Sequence, residues 1–482
     1  MSTKKPSLLS AFIPILVLIA MLYFDVKFFG EDSSYGSNQI ALLCAAAVAG
    51  FVGVLHGIGW DTIYDGIVDN IKSALGAVLI LLLIGSLAGT WLISGVIPAM
   101  VYYGLDILNP KIFLFAAAIV CAIVSLATGS SWGTIGTVGV ALIAIGRTLG
   151  ISEGWVAGAI ISGAYFGDKM SPLSDTTNLA PAIAGTDLFT HIRYMLITTV
   201  PSISIALLVF LIVGFTMPPA QQELSVEAMQ QVMANSFNLG WWLFLVPVVV
   251  IVLIARKMPA IPALFIGTLA GGLFAIVFQP DLIRSLGGEG SFARASYIAV
   301  INAMAGETVV ETGNDIVNKL LKTKGMYGMM NTIWLILCAL TFGGVMQATG
   351  MLQRLTESVL SGVKSAASLI AATTGTCIVF NVLAGDQYLA IVVPGKMFAE
   401  AYEKQGLAPE NLSRTLEDSG TVTSVLIPWN TCGLAQSGML GVATWAYAPY
   451  ALFNIISPLM TVLFAIMGWK IRRIPSSSTP KE

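Results

Sequence analysis

Long apolar runs separated by short polar segments recur along the whole chain. An apolar run of about 20 residues crosses a hydrocarbon layer of about 30 Å as an α-helix. The residues do not alternate between apolar and polar, as the strands of a lipid-facing barrel do. The pattern predicts an all-α polytopic membrane protein with about ten to thirteen spans and two re-entrant pairs. Examples of these runs are Leu8–Phe24, Ala74–Ile97, Met195–Phe215, Trp241–Ile254, Thr332–Val345 and Ala451–Trp469.

Composition agrees with a membrane protein. Of 482 residues, 56% are hydrophobic and 10% are charged, whereas about a quarter of the residues in soluble domains are charged. The formal net charge of −2 provides no basic surface for nucleic acid. We therefore expect the lipid bilayer to be the main surrounding of the chain and no nucleic-acid partner.

The chain is internally duplicated. "LATGSSWGTIGTVG" (126–139) aligns with "VLAGDQYLAIVVPG" (382–395), and "SPLSDTTNLAP" (171–181) aligns with "VLIPWNTCGLA" (425–435) at a similar shift. The first apolar run also has a counterpart at 245–255, which favours a retained helix over a cleaved signal peptide. We expect transmembrane halves at 1–220 and 238–482, joined by a linker at 221–237.

Basic residues predict that the halves point in opposite directions. Lys4 and Lys5 precede the first helix, and "HIRY" (191–194) precedes the last helix of the first half, which places both on the cytoplasmic side. By the same rule, "ARK" (255–257) and "KIRR" (470–473) are expected on the cytoplasmic side. The second half is therefore expected to start outside and to end, with the C-terminus, in the cytoplasm. An inverted-topology repeat with broken helices and re-entrant hairpins is the architecture of secondary transporters.

Two polar stretches are predicted to be amphipathic helices that lie along the membrane surface. They are "WDTIYDGIVDNIK" (60–72) and "ETVVETGNDIVNKLLKTKG" (307–325). The second lies in a predicted external region that carries five basic residues, which fits the orientation poorly.

Polar islands interrupt the apolar runs at matching places in the two halves. Gly and Pro in these islands break helices and free backbone groups that hydrocarbon cannot satisfy, so the islands should line a polar cavity. Carbonyl, hydroxyl and carboxylate oxygens there would suit a small hard cation such as sodium. The islands are Thr128–Thr134, Gly167–Asn178, Phe380–Tyr388, Glu417–Ser424 and Pro428–Thr431.

Two aspartates in the second island are the strongest candidates for a cation site. An ionised carboxylate at membrane depth costs several kcal/mol, so Asp168 and Asp175 must be protonated, paired or bound to a cation. Competition between proton and cation for one carboxylate gives cation/proton antiport when the site faces one side at a time. Both aspartates are the predicted proton-exchange groups. The predicted cation ligands are Asp168, Ser171, Ser174, Asp175, Thr176, Asn178, Asn381, Asp386, Asp418 and Asn430.

Structural roles compete for several of these residues. Asp168 could form an ion pair with Lys169, although neighbours in sequence do not face each other on a helix. Asp175 could cap the helix through Asn178, and capping is as good an explanation for Asp386 as ligation. Interfacial or solvated positions are expected for Glu417, His56 and His191.

Long motifs carry a resemblance to a known family. They are "ATGSSWGTIGTVGVAL", "SGAYFGDKMSPLSDTTNLAPAIAGTD", "GDQYLAIVVPGKMFAEAY" and "LSRTLEDSGTVTSVLIPWNTCG". With these motifs the chain resembles the NhaC family of bacterial sodium/proton antiporters over nearly its full length. The resemblance implies an inner-membrane antiporter that exports sodium in exchange for external protons, with no cofactor. "SDTTN" (174–178) is similar to hairpin tips that bind sodium in related carriers.

The same family includes exchangers of organic acids such as malate and lactate. In that alternative, Lys169 or Lys396 would receive the substrate carboxylate, and Ser130 and Ser131 would hydrogen-bond it. The oligomeric state stays open, with a homodimer as one option. A channel is disfavoured because no filter-like loop occurs, and an intramembrane enzyme because the sequence has no HExxH motif and "GSSWG" has no nearby histidine.

Overall fold

Among the described residues the fold is all-α apart from one two-stranded pair and one isolated β-bridge. The computed structural model describes residues 6–29, 36–107, 109–217, 226–314, 317–318, 321–360 and 362–474. Lys4, Lys5 and the end of the C-terminal tail lie outside the described residues, as do residues 221–225 of the predicted linker; the rest of the linker is described and contains a helix, Val226–Ser236. The helices of the first half are α1 (Leu8–Phe29), α2 (Ser37–Leu55), α3 (Trp60–Ser73), α4 (Leu75–Ile93), α5 (Val96–Ile107), α6 (Phe113–Thr128), α7 (Ser131–Thr134), α8 (Val140–Thr148), α9 (Glu153–Met170), α10 (Asp175–Ala184) and α11 (Leu188–Thr216).

The second half begins after α12 (Val226–Ser236). A two-stranded antiparallel hairpin joins β1 (Thr308–Val309) to β2 (Lys322–Thr323). The remaining helices are α13 (Leu245–Ala255), α14 (Ala260–Phe278), α15 (Pro280–Gly287), α16 (Phe292–Ala305), α17 (Met330–Ala348), α18 (Met351–Leu360), α19 (Ala366–Leu383), α20 (Gln387–Lys404), α21 (Pro409–Leu416), α22 (Thr431–Leu440), α23 (Thr444–Tyr447) and α24 (Leu452–Ile466).

The helices confirm a polytopic membrane protein. In the described part of the chain, eight helices are long and apolar enough to cross a membrane, or ten if each of two bent pairs is one span. The predicted ten to thirteen spans therefore agree only at the lower limit. Helices such as α5 and α16 are too short to count. Large apolar side chains on α11, including Leu208, Ile212 and Phe215, are exposed, as lipid-facing residues are in a structure without lipid.

Helices of the two halves pack against each other. Helix α4 of the first half packs against α14 of the second, and α17 of the second half packs against α2 of the first. This reciprocal packing is what a twofold repeat produces, and the fold is the predicted inverted-topology repeat with broken helices and re-entrant hairpins. The interhelical contacts are close where small residues meet. A methyl group added at Gly66, for example, would lie 2.6 Å from the Ala348 side chain.

One predicted surface helix does not extend over its whole segment. The ends of segment 307–325 pair as strands, Thr308 with Thr323 and Val309 with Lys322, and of the described residues between them 317–318 are helical. Its basic side chains are partly explained by local pairing, since Lys322 Nζ lies 2.8 Å from Glu307 Oε1. The other predicted helix is α3, which is amphipathic but packs on α17, where the buried Asn70 donates to the Leu340 carbonyl at 2.7 Å.

Candidate functional site

The first break in each half has the same local structure. Helix α6 ends at Gly129 in the left-handed region with φ 68°, and the Ser130 side chain caps α7 by accepting from Gly133 N at 3.0 Å. In the second half, Gly385 has φ 66° and follows α19, and the Asp386 side chain caps α20 by accepting from Leu389 N at 3.0 Å. Each half thus contains a glycine turn followed by a polar helix cap.

The second breaks also correspond. Helix α9 ends at Met170, and after three further residues Ser174 is the N-cap residue of α10. In the second half, the Asn430 side chain caps α22 by accepting from Cys432 N at 3.0 Å. Asp175 occupies the first turn of α10, so the alternative in which Asp175 is the cap residue is wrong.

These breaks surround one cavity of about 730 Å³. The N-termini of α7, α10, α20 and α22 all line it, together with residues at the end of α13. Helix N-termini carry partial positive charge, which stabilises carboxylates placed beside them. The predicted site residues that line the cavity are Ser130, Ser131, Asp168, Ser174, Asp175, Thr176, Asn178 and Asp386.

Asp168 is the most enclosed acidic group among the predicted ligands of the first half. Its side chain is 8% exposed, and its Oδ2 accepts a hydrogen bond from Ser131 Oγ at 2.7 Å. Ser174, in the turn between α9 and α10, interacts with the same carboxyl group. Asp168 therefore joins the two breaks of the first half at the wall of the cavity.

Asp175 lies at the open side of the cavity. It is exposed, and the Tyr388 hydroxyl from the second half lies 3.5 Å from its Oδ2. Asn178 stabilises the turn between α9 and α10, because its Nδ2 donates to the carbonyls of Pro172 at 3.0 Å and Ser174 at 2.7 Å. Residues 168–178 thus face elements of the second half across the cavity.

Lys169 and Asp418 do not line the cavity. They form an ion pair in which both side chains are fully buried. Asp418 also accepts from Thr198 at 2.7 Å, Ser457 at 3.1 Å and Thr461. Lys169 is therefore paired across the two halves, not with Asp168, and the donors around Asp418 leave it little capacity to bind a cation.

Other predicted residues lie outside the cavity as well. Asn381 Nδ2 donates to Gly420 O at 2.7 Å, and Asn430 Nδ2 donates to Asn381 O at 3.0 Å, so both amides hold the second-half breaks together. Ser171 is buried in the turn, where its hydroxyl accepts from Leu173 N at 3.3 Å. Lys396 is exposed on α20. Ligand roles for these residues stay predictions without support from their positions.

Two groups that were expected near solvent are buried. His191 is 0% exposed, and its Nδ1 lies 2.7 Å from Ser413 Oγ. Glu417 is also 0% exposed, in a π-helical turn over Glu417–Thr421. The sequence signal that could have identified Glu417 is its place inside "TLEDSGTVTS", a segment whose other residues are mostly small or hydroxylated.

Replacing Gly129 with alanine should displace the turn between α9 and α10 that lines the cavity. The left-handed backbone costs a non-glycine residue about 1–2 kcal/mol, and the added Cβ would lie 2.6 Å from Leu173 Cβ and 2.9 Å from Ser174 N. We expect Gly129→Ala to lower transport and thermal stability. Gly185→Ala is the matched control, because Gly185 has φ 82° but its Cβ would have no neighbour within 4 Å. Equal transport by the two variants would contradict this close approach.

The described residues contain no group of three or more His, Cys, Asp or Glu that could hold a metal ion. The cavity instead combines single carboxylates with hydroxyl groups at helix breaks, which defines a secondary transporter with discontinuous helices.

The chain belongs to the Na⁺/H⁺ antiporter family, whose model matches residues 7–165 and 163–469. It is 40% identical over 430 residues to the Na⁺/H⁺ antiporter NhaC of Alkalihalophilus pseudofirmus, covering 89% of this chain and 90% of that protein. It is 36% identical to the malate-2H⁺/Na⁺-lactate antiporter of Bacillus subtilis, covering 89% of each. It is 35% identical to the arginine/ornithine antiporter ArcD of Halobacterium salinarum, covering 99% of this chain and 96% of that protein. The resemblance to the NhaC family is thereby confirmed.

Proposed function

We propose that this protein exchanges cytoplasmic sodium for external protons across the bacterial inner membrane. The observation that carries the proposal is the nearly buried Asp168 carboxylate, held by Ser131 at the wall of a cavity between the broken helices of both halves. An isolated buried carboxylate must bind a proton or a cation. The exchange needs no resident cofactor, because sodium is the transported substrate.

Asp168 would act as the group for which sodium and proton compete. Sodium would be held by the carboxylate together with hydroxyl oxygens from Ser131 and Ser174, which are the hard ligands that such a cation prefers. Protonation would remove the negative charge and release the cation. If the cavity opens to one side of the membrane at a time, each release of sodium is coupled to proton uptake.

The cavity would be open to the cytoplasm in this conformation. Lys257 lines it, and the segment 255–257 is predicted to be cytoplasmic from its basic residues. Asp175, exposed at the same cavity, would attract sodium to the entrance by its charge. With this orientation, both termini would be cytoplasmic.

Organic-acid exchange is the second candidate function. The N-termini of α7, α10, α20 and α22 around the cavity favour an anion, and about 730 Å³ exceeds what a bare ion needs. Against it, the two lysines proposed to receive a substrate carboxylate are elsewhere: Lys169 is paired with Asp418, and Lys396 is exposed outside the cavity. Sodium/proton exchange is therefore the better-supported function.

Everted membrane vesicles distinguish the two functions. With a proton gradient established by respiration, adding sodium alone should collapse the gradient in vesicles that contain the protein. Vesicles without the protein provide the control. A collapse that requires added malate or lactate would favour organic-acid exchange instead.

A further inference from the structure

A buried carboxyl group next to the cavity has no role in the site described so far. Glu417 is 0% exposed, and neither of its carboxyl oxygens has a hydrogen-bond partner within the described residues. Leaving a carboxyl group buried without partners costs several kcal/mol unless a ligand compensates for the loss of water. Glu417 is therefore a group whose surroundings are incomplete in this conformation.

Hydroxyl groups from two elements face Glu417. Thr421 is one turn further along the same π-helical segment, and Thr176 comes from the first turn of α10. Helix α10 packs against this segment, and both hydroxyls lie close to the Glu417 carboxyl group without forming a hydrogen bond to it. The Thr421 hydroxyl is itself buried without a hydrogen-bond partner in the described part of the chain, so carboxylate and hydroxyl oxygens converge with unused capacity to bind a cation.

Basic side chains nearby do not neutralise Glu417. The Lys169 ammonium acts on it through its charge but is paired directly with Asp418. Arg414 lies one turn earlier on α21, where its buried guanidinium has no hydrogen-bond partner among the described residues and stacks 4.5 Å from the ring centre of Tyr194. Neither basic side chain forms a hydrogen bond with Glu417 in the described part of the chain, so a bound cation would supply a positive charge in direct contact with the carboxylate.

Thr176 connects this group to the cavity. Thr176 lines the cavity and also faces Glu417. Its hydroxyl makes only a long contact of 3.3 Å to Ser174 Oγ, which leaves it available to a cation. The π-helical turn at Glu417–Thr421 is a type of distortion that occurs often at functional sites.

We propose that Glu417, Thr421 and Thr176 form a second cation site of sodium size, which is filled from the cavity past Thr176. The inference rests on the proposed function, because the cation would be the sodium that Asp168 admits. The cavity site would be the site of entry, and the Glu417 site would be the occluded one. The protein would then bind a second sodium ion per chain.

Equilibrium binding of ²²Na⁺ to the purified full-length protein tests the second site. We expect Glu417→Gln to lower the maximum number of bound sodium ions to roughly half, because glutamine keeps the shape of the side chain but not its charge. Asp168→Asn should lower it to the same value, and the double variant should bind none. Asp187→Asn, an exposed helix-cap change, should bind as much as wild type.

A maximum that is unchanged in Glu417→Gln would overturn the second site. If Asp168→Asn still lowers binding in that case, the proposed antiport at Asp168 stands. If instead only Glu417→Gln lowers binding, the proposed function fails and the Glu417 site stands. Should Glu417→Gln not fold, Thr421→Val retains the carboxyl group. It should weaken one class of sites at least several-fold, and a binding curve equal to that of wild type would overturn the proposal.

Discussion

Asp168→Asn should reduce sodium-dependent proton movement to the level of membranes without the protein. Asparagine keeps the size of the side chain and can still accept from Ser131, which lies 2.7 Å from Asp168 Oδ2. It can neither attract a cation by charge nor exchange a proton, so coupling is lost while folding is retained. The measurement is sodium-induced collapse of a proton gradient, together with the amount of protein in the membrane.

Substitutions at two other aspartates are the comparisons for Asp168→Asn. From the sequence, Asp175→Asn is expected to abolish transport as well, but the exposed position of Asp175 lowers the expected effect to weaker sodium affinity. Asp187 caps α11, where its carboxylate accepts from Thr190 N at 2.9 Å, and Asp187→Asn should transport as wild type does. Wild-type coupling in Asp168→Asn, at normal expression, would show that the site is assigned to the wrong carboxylate.

Lys169→Met should destabilise the protein more than other single changes in the membrane region. Removing one partner of a fully buried ion pair leaves the other charge uncompensated, which costs about 3–5 kcal/mol of the free energy of unfolding. Here the remaining charge would be Asp418, with donors only from Thr198, Ser457 and Thr461. Thermal unfolding of the purified protein in detergent measures the loss.

Restoring neutrality should recover part of that stability. Adding Asp418→Asn to Lys169→Met removes the uncompensated charge and keeps an acceptor for the surrounding hydroxyls, so the double variant should unfold at a higher temperature than Lys169→Met. The partly exposed pair Arg147–Glu153 is the control, since exposed pairs contribute about 0–1 kcal/mol. If Lys169→Met is no less stable than Glu153→Gln, the ion pair does not hold the two halves together.

The breaks in the helices were predictable because local chemistry determines them. Gly129 and Gly385 supply left-handed turns, and Ser130 and Asp386 supply the caps that follow. These residues recur 256 positions apart, so the duplication was visible in the sequence as well. Asp168 and Asp175 were correctly placed near the second half, because the polar islands can only be satisfied where they meet.

The pairing of buried charges was not predictable. Lys169 is next to Asp168 in sequence, yet its partner is Asp418, which is 249 residues away and was expected to bind the cation. Glu417 was expected in an interfacial loop because "TLEDSG" is polar, but tertiary packing buries it completely. Similarly, segment 307–325 was expected to be one amphipathic helix, whereas its ends pair as strands at Thr308 and Thr323.

The dependence of sodium affinity on pH tests most directly whether one carboxylate exchanges sodium for protons. Sodium binding to the purified protein would be titrated at several pH values, for wild type and for Asp168→Asn. If proton and sodium compete for Asp168, the apparent dissociation constant for sodium at the cavity site rises by about tenfold for each unit by which the pH falls on the acidic side, and the substitution abolishes sodium binding at that site. A cavity site whose sodium affinity is independent of pH in the wild type, or one that binds sodium with unchanged affinity in Asp168→Asn, would contradict the account.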